Sequence, residues 1–227
     1  MTDQHFFSRV KSILPEASEP ADNFQFERML SKRGFVHIAG TDEVGRGPLA
    51  GPVVAACVIL PNSCNPALFC DSKTTTEKQR YQLRDTLLSA NTPIGIGIVS
   101  SRIIDQINIL QASLMAMKES ILELSEKTIP PDFVLVDGTF GVPLNIPQET
   151  LTKGDSRSAT IGAASIIAKI TRDEIMKTLH EKYPSYNFLS NKGYPTREHR
   201  KAIEQHGPCP EHRFSFRGVK EFVKTAD

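Results

Sequence analysis

Two adjacent carboxylates, Asp42 and Glu43, stand directly before a glycine turn in the stretch Gly40-Thr41-Asp42-Glu43-Val44-Gly45-Arg46-Gly47-Pro48-Leu49-Ala50-Gly51-Pro52. Two further acids each neighbour a glycine, in Val136-Asp137-Gly138 and in Lys153-Gly154-Asp155-Ser156. Carboxylates delivered by strand ends hold hard divalent cations close to phosphate. Glycines beside them let backbone N–H groups approach a sugar or phosphate with no Cβ in the way. Oxygen donors with no His or Cys beside them select Mg²⁺ or Mn²⁺ over Zn²⁺. The chemistry implied is metal-dependent cleavage of nucleic acid.

The elements that must position these acids can be read from apolar spacing. Residues 35–39 and 53–60 are strand-like runs, so 42–52 is expected as a loop between two strands. Residues 92–99 alternate as a third strand, and 132–138 read as a short buried strand ending on an acid and a glycine. Ile103, Ile107, Leu110, Leu114, Met117, Ile121 and Leu124 recur at steps of three and four, which predicts one long amphipathic helix. A small-residue helix is expected over 158–182, and a short one over 22–32 with Gly34 as its C-cap. Strand, strand, strand, helix, strand, helix in one core is the order of an α/β mixed sheet. The chain divides into a lead-in with a short helix (1–33), a main domain (34–186) and a smaller helical C-terminal lobe (187–227) richer in Lys, Arg and His.

In a regular strand the side chains of Asp42 and Glu43 point to opposite faces. One metal site can use both if the backbone bends, as Gly45 allows, or if the longer Glu reaches around. Asp137 falls near Asp42 if its strand lies beside the first. Taken singly, Asp155 reads as a helix cap and Asp137 as a strand-end turn. Taken together, acids beside glycine at several element ends favour a shared site.

The 39% apolar and 23% charged shares of 227 residues are ordinary for a globular protein. No apolar run approaches the roughly 20 residues of a membrane-spanning helix. Asp3, Arg9 and Lys11 leave no signal-peptide pattern, so a cytoplasmic protein with reduced cysteines is expected. A net charge of +1 means that any phosphate affinity must come from a local patch. Gly45-Arg46-Gly47-Pro48-Leu49-Ala50 fits a dinucleotide-binding pattern, but a strand rather than a helix follows it. His206, Cys209 and His212 match no structural zinc spacing and are read as structural.

The segment 40–52 resembles the signature of ribonuclease HII, and the resemblance continues in separate blocks over roughly residues 35–217. These include Asp71-Ser72-Lys73, the Asp137 and Asp155 motifs, Gly193-Tyr194-Pro195-Thr196 with His199, and 206–216, while the small-residue run 163–169 is read as a helix face packed on the sheet. The resemblance implies a ribonuclease H-like mixed β-sheet flanked by helices, with a small helical C-terminal lobe. It implies an endoribonuclease acting on RNA–DNA hybrids and on DNA duplexes containing single ribonucleotides. Cleavage would fall 5′ of the ribonucleotide, leaving 3′-hydroxyl and 5′-phosphate ends, in ribonucleotide excision and primer removal.

By the same resemblance Asp42, Glu43, Asp137 and Asp155 are the metal-binding acids, and Asp173 is read as structural. Chemistry suggests that Asp42 and Asp137 hold or bridge two cations, with Glu43 and Asp155 each completing one shell. Gly45, Arg46 and Gly47 would read the 2′-hydroxyl that separates RNA from DNA. Tyr194 would stack on the sugar after the ribonucleotide, and Lys73 and Ser165 would approach phosphate. Lys153, Lys169, Arg197 and Arg200 are weaker phosphate candidates. The sister family, ribonuclease HIII, usually carries Gly-Thr-Gly at the turn, so Arg46 favours HII. A DNA-cutting relative and a non-catalytic hybrid-binding module are the rival readings. A monomer is expected.

Overall fold

The computed structural model describes residues 22–61, 64–69 and 75–223. Lys73, with its neighbours Asp71 and Ser72, and most of the lead-in lie outside them.

Five strands form one sheet: β1 (Ile38–Val44), β2 (Val53–Ile59), β3 (Ile94–Val99), β4 (Phe133–Asp137) and β5 (Gln148–Leu151). Their order β3-β2-β1-β4-β5 places β1 at the centre. It runs antiparallel to β2 and parallel to β4, so the sheet is mixed, as expected.

β2 reads Val-Val-Ala-Ala-Cys-Val-Ile and is buried along its whole length. A continuous apolar run of this kind requires cover on both faces. On one face α4 (Ile109–Lys127) packs Ala112, Ala116, Met117 and Ile121 near Val53, Ala55 and Cys57. On the other, α5 (Ala159–Lys182) brings Ala163, Ala164 and Ile167 to Ala56 and Val58. Small residues set the spacing: a Cβ added at Gly97 of β3 would collide with the carbonyl of Ala116 in α4.

Three features differ from the sequence-based expectation. The long helix is two, α3 (Ser101–Ile107) and α4, broken at Asn108 with φ 70°. The Asn108 side chain accepts the N–H groups of Leu110 and Gln111 at 3.0 and 3.1 Å, capping the new helix without interrupting the apolar stripe. Two elements were not anticipated, the strand β5 and the helix α2 (Glu77–Ser89), which opens on a Thr76/Gln79 capping box. Finally, β1 continues to Val44 in unbroken register with β2, so Asp42 and Glu43 sit inside the strand and the loop begins after them.

α1 (Gln25–Ser31) packs Phe26 and Leu30 near Ile38 and Phe133. The C-terminal part contains α6 (Phe188–Asn191) and α7 (Arg197–His206). Phe188, Ile203 and Val219 pack there with Leu49, Ala50 and Met176. Backbone bonds stitch the loop after β1 to this part: Leu49 N–H to Gly193 O, Gly51 N–H to Glu211 O and Arg213 N–H to Leu49 O, each 2.8 Å. Among the described residues no helix is long and apolar enough to cross a membrane.

Because β3 and α4 meet backbone to backbone at Gly97, Gly97→Val should destabilise the protein by about 3 kcal/mol or more. Thermal unfolding would show this as a fall in Tm; an unchanged Tm would mean that the two elements separate at little cost.

Candidate metal centre and glycine turn

In the β1–β2 register Asp42 stands opposite Ala56 and Glu43 opposite Ala55. Paired residues share a face, so Asp42 lies on the α5 side and Glu43 on the α4 side. The longer Glu closes the gap, since one oxygen each from Asp42, Glu43 and Asp137 falls within 4.8 Å of the others. Asp137 is the last residue of β4, and the parallel register places it one step beyond Thr41↔Val136, level with Asp42.

The carboxylates are fixed by local donors. Glu43 N–H donates to Asp42 Oδ1 at 2.7 Å, and Gly154 N–H donates to Asp137 Oδ1 at 2.6 Å. The Ser165 hydroxyl, on α5, donates to Asp42. Ser165 thus reaches the acid cluster itself as well as lining the cavity above it.

Asp155 is buried in a 3₁₀ turn (Gly154–Ser156) and lines the same cavity, outside the close group of three. It is not the cap of α5. That role falls to Ser158, whose hydroxyl oxygen accepts Ile161 N–H at 3.2 Å. Glu27 adds to it, accepting the Ser158 hydroxyl and Thr160 N–H at 2.6 and 3.1 Å. Asp173 sits in α5, paired with Lys169 at 2.7 Å.

Burial, then repulsion from Asp137 and Glu43, raises the Asp42 carboxyl well above its usual range. Burial also raises Glu43, against the pull of Arg46, whose Nη1 lies 3.1 Å from Glu43 Oε1. With Arg46 on Glu43 and Lys169 on Asp173, these two cations of the cavity are already engaged. An all-oxygen, charge-rich and desolvated group fits a hard divalent cation.

The cavity measures about 470 Å³. Its walls are Asp42, Glu43, Asp137, Asp155 and Ser165 on one side and Gly45, Arg46, Gly47 and Tyr194 on another. Arg80 of α2 and Lys169 also line it. Arg80 was missed because α2 itself was not anticipated; the Thr76–Gln79 capping pattern was the available signal.

Two buried arginines hold the glycine turn from behind. Arg213 donates to the carbonyls of Arg46 at 3.0 Å and of Gly45 and Gly51. Arg172 donates to the carbonyls of Pro52, Ala50 and Lys192 at 2.9, 3.1 and 3.0 Å. Gly45 has φ +99°, and a Cβ there would run into the Arg172 side chain. In a trans peptide the C=O and the next N–H point opposite ways. Carbonyls of Gly45 and Arg46 drawn back onto Arg213 therefore turn the N–H groups of Arg46 and Gly47 away from it. Burial pulls Arg213 down to about 9 and Arg172 to about 10, so both stay charged at neutral pH.

A third buried chain ends on Tyr194. Cys209 N–H donates to His212 Nδ1 at 3.0 Å, His212 Nε2 meets His199 Nε2 at 3.0 Å, and His199 Nδ1 meets Tyr194 O at 2.9 Å. One arrangement satisfies all three: His212 protonated on Nε2 and His199 on Nδ1, both neutral. His212, read from sequence as structural, is so here: through this chain it fixes the Tyr194 carbonyl.

A mixed sheet carrying carboxylates on its central strands, flanked by helices, defines a metal-dependent hydrolase of the ribonuclease H class. The chain belongs to the ribonuclease HII family: the Ribonuclease HII family model matches residues 39–219. Ribonuclease HII of Desulfotalea psychrophila is 55% identical over 215 residues, covering 94% of this chain and 96% of that one. The crystal structure of ribonuclease H2 from Pyrococcus horikoshii superposes with TM-score 0.66 at 25% identity, over 82% of this chain and 97% of that one. Bst-RNase HIII, solved in complex with Mn²⁺, has the same fold, with TM-score 0.64 at 17% identity over 92% of this chain and 75% of that one. The protein is an endoribonuclease of RNA–DNA hybrids.

Two outcomes test the supports of the site. Arg213→Met should lower kcat/KM on an RNA–DNA hybrid at least about tenfold, because it leaves buried carbonyls unpaired and frees the turn. Steady-state kinetics checks this; an unchanged kcat/KM would show that the turn holds without Arg213. Burial and His199 lower His212 from 6.5 to about 4, so the unfolded chain binds more protons between those values. The contribution of His212 to stability is then full above about pH 6.5 and is lost as pH drops toward 4. The Tm difference between wild type and His212→Asn should therefore shrink across that range, a comparison in which the raised Glu27, Asp42 and Glu43 carboxyls, acting with the opposite sign, cancel.

Proposed function

We propose that the enzyme cuts 5′ of single ribonucleotides embedded in duplex DNA, as well as within longer hybrids, leaving 3′-hydroxyl and 5′-phosphate ends. The observation that carries this reading is the junction of the carboxylate group with the Gly45-Arg46-Gly47 turn in one cavity. Asp42, Glu43 and Asp137, with Asp155 on the cavity wall, would hold divalent cations, Mg²⁺ or Mn²⁺ and two during catalysis. When bound, such ions activate water and offset the charge that develops on the phosphate.

The turn's N–H groups and Arg46 would address the 2′-hydroxyl, the group by which RNA differs from DNA. Tyr194, next to Gly47, would lie on the sugar that follows the ribonucleotide. Arg80 and Lys169 would attract the backbone phosphates, and Ser165 would hold Asp42 in place. Lys73 is proposed for phosphate contact by resemblance only. A cytoplasmic monomer with a lobe over 187–227 that seats the duplex completes the reading, and ribonucleotide excision and primer removal are the tasks it suits.

The test uses a labelled DNA duplex with one ribonucleotide, next to an all-DNA control, in Mg²⁺, Mn²⁺ or EDTA. A metal-dependent cut 5′ of the ribonucleotide is expected, with Asp42→Asn slower by roughly 10³-fold or more. Cutting of a long hybrid but not of the single ribonucleotide would replace this reading with the HIII-like one. Cutting of neither would leave a binding module.

A further inference from the structure

Behind Glu43, Arg46 and Asp137 lies a second, smaller cleft of about 130 Å³. Those three residues are the ones it shares with the main cavity, so they form a common wall. Leu110, Leu114 and Met117 of α4 line the cleft together with Phe140, from the loop after Asp137-Gly138. Gly138 turns the chain there at φ +105°, and Phe140 is left 55% exposed. Ser113 of α4 also lines the cleft; its side chain is buried, and its hydroxyl has no hydrogen-bond partner among the described residues.

A buried hydroxyl without a partner and an aromatic ring facing water are each unfavourable in the free protein. One kind of occupant answers both: an apolar ring system that carries hydrogen-bonding atoms. Phosphate does not suit the interior of the cleft, because beyond the shared wall its lining is mostly apolar. The neutral part of a nucleotide does.

We propose that this cleft is a subsite for the nucleoside immediately 5′ of the bond that is cut. The proposal rests on the reading of the carboxylate group and Tyr194 given above. Tyr194 lines the main cavity and Phe140 the cleft, so the two aromatics flank the common wall from different sides. A strand with its scissile phosphate at the carboxylates and its 3′ portion on the turn and Tyr194 must continue past the wall toward Phe140. There the ring packs on the sugar and base, and Ser113 takes up an edge atom. Phe140 thereby steadies the side that leaves as the 3′-hydroxyl. It acts as a substrate-positioning residue outside the glycine turn.

A double-mutant cycle between protein and substrate tests it. Wild-type and Phe140→Ala proteins are assayed on single-ribonucleotide duplexes whose 5′ neighbour is a normal nucleoside or a three-carbon spacer. On the normal duplex Phe140→Ala should raise KM roughly tenfold, the scale of losing one base–aromatic contact. On the spacer duplex the variant should lose little beyond what wild-type loses, because the partner is already gone. Phe140→Trp should restore KM, and Ser113→Ala should show a smaller coupling of the same sign. Additive losses, or coupling with a spacer on the 3′ side instead, would overturn the subsite. Fluorescence anisotropy on the same combinations reads the coupling without cutting. Binding that couples in a protein that does not cut at the single ribonucleotide would therefore sink the proposed function and leave the cleft as a site for the nucleoside 5′ of the ribonucleotide.

Discussion

Asp42, Glu43 and Asp137 bring carboxylate oxygens within 4.8 Å of one another at the end of the central strand pair. Two unit charges 4 Å apart repel by about 4 kcal/mol at an effective dielectric constant of 20. Burial adds to this, and the raised Asp42 and Glu43 carboxyls register both. The surroundings of the sheet end follow from this repulsion. Gly154 N–H, Glu43 N–H and the Ser165 hydroxyl all donate into the cluster. They come from three different segments, so the geometry holds only if strand, 3₁₀ turn and α5 are locked together. Gly40 allows that lock, since a Cβ there would strike the backbone of Thr160 and Ile161 in α5.

The buried arginines answer a related problem on the other wall. A loop that offers N–H groups to a ligand must dispose of its carbonyls elsewhere, and buried carbonyls need partners. Arg172 and Arg213 supply them from a rigid fork that a lysine does not have. Neither has a carboxylate ion-pair partner among the described residues, so both leave net positive charge behind the turn, opposite the acids. An anionic substrate strand then meets acids that call for cations on one side and a cationic backing on the other.

Much of this was legible in the sequence. The sheet's core strands, α5 and Asp137 at the end of β4 could be placed because their patterns are local, buried apolar runs and an acid before a glycine, whereas Asp42 and Glu43, expected in a loop, lie inside β1. What could not be read was set by distant partners. Asn108 breaks a helix whose apolar stripe continues straight through it, so periodicity alone sees one element. β5, Gln-Glu-Thr-Leu, carries no alternation strong enough to mark a strand and exists through its pairing with β4. Arg172 and Arg213 look like ordinary surface arginines until the fold buries them against the turn. Asp155 lines the same cavity as Asp42, Glu43 and Asp137 but stands outside their close group, because its position depends on a turn that no spacing rule predicts.

Adjacency of Asp42 and Glu43 has a consequence that alternate spacing would not. Acids at i and i+2 on one strand would share a face and open onto a single cavity. Neighbours at i and i+1 straddle the sheet, one toward α5 and one toward α4. Asp42 opens onto the main cavity alone, whereas Glu43, with Asp137 and Arg46, lines both the cavity and the smaller cleft, so that this wall has a hollow on each side. On the proposed reading, a substrate strand crossing the sheet end would pass over both, with its phosphate at the wall and a nucleoside on either hand. The pleat of one strand would thus organise recognition on both sides of the bond to be broken, before any side chain beyond the acids is considered.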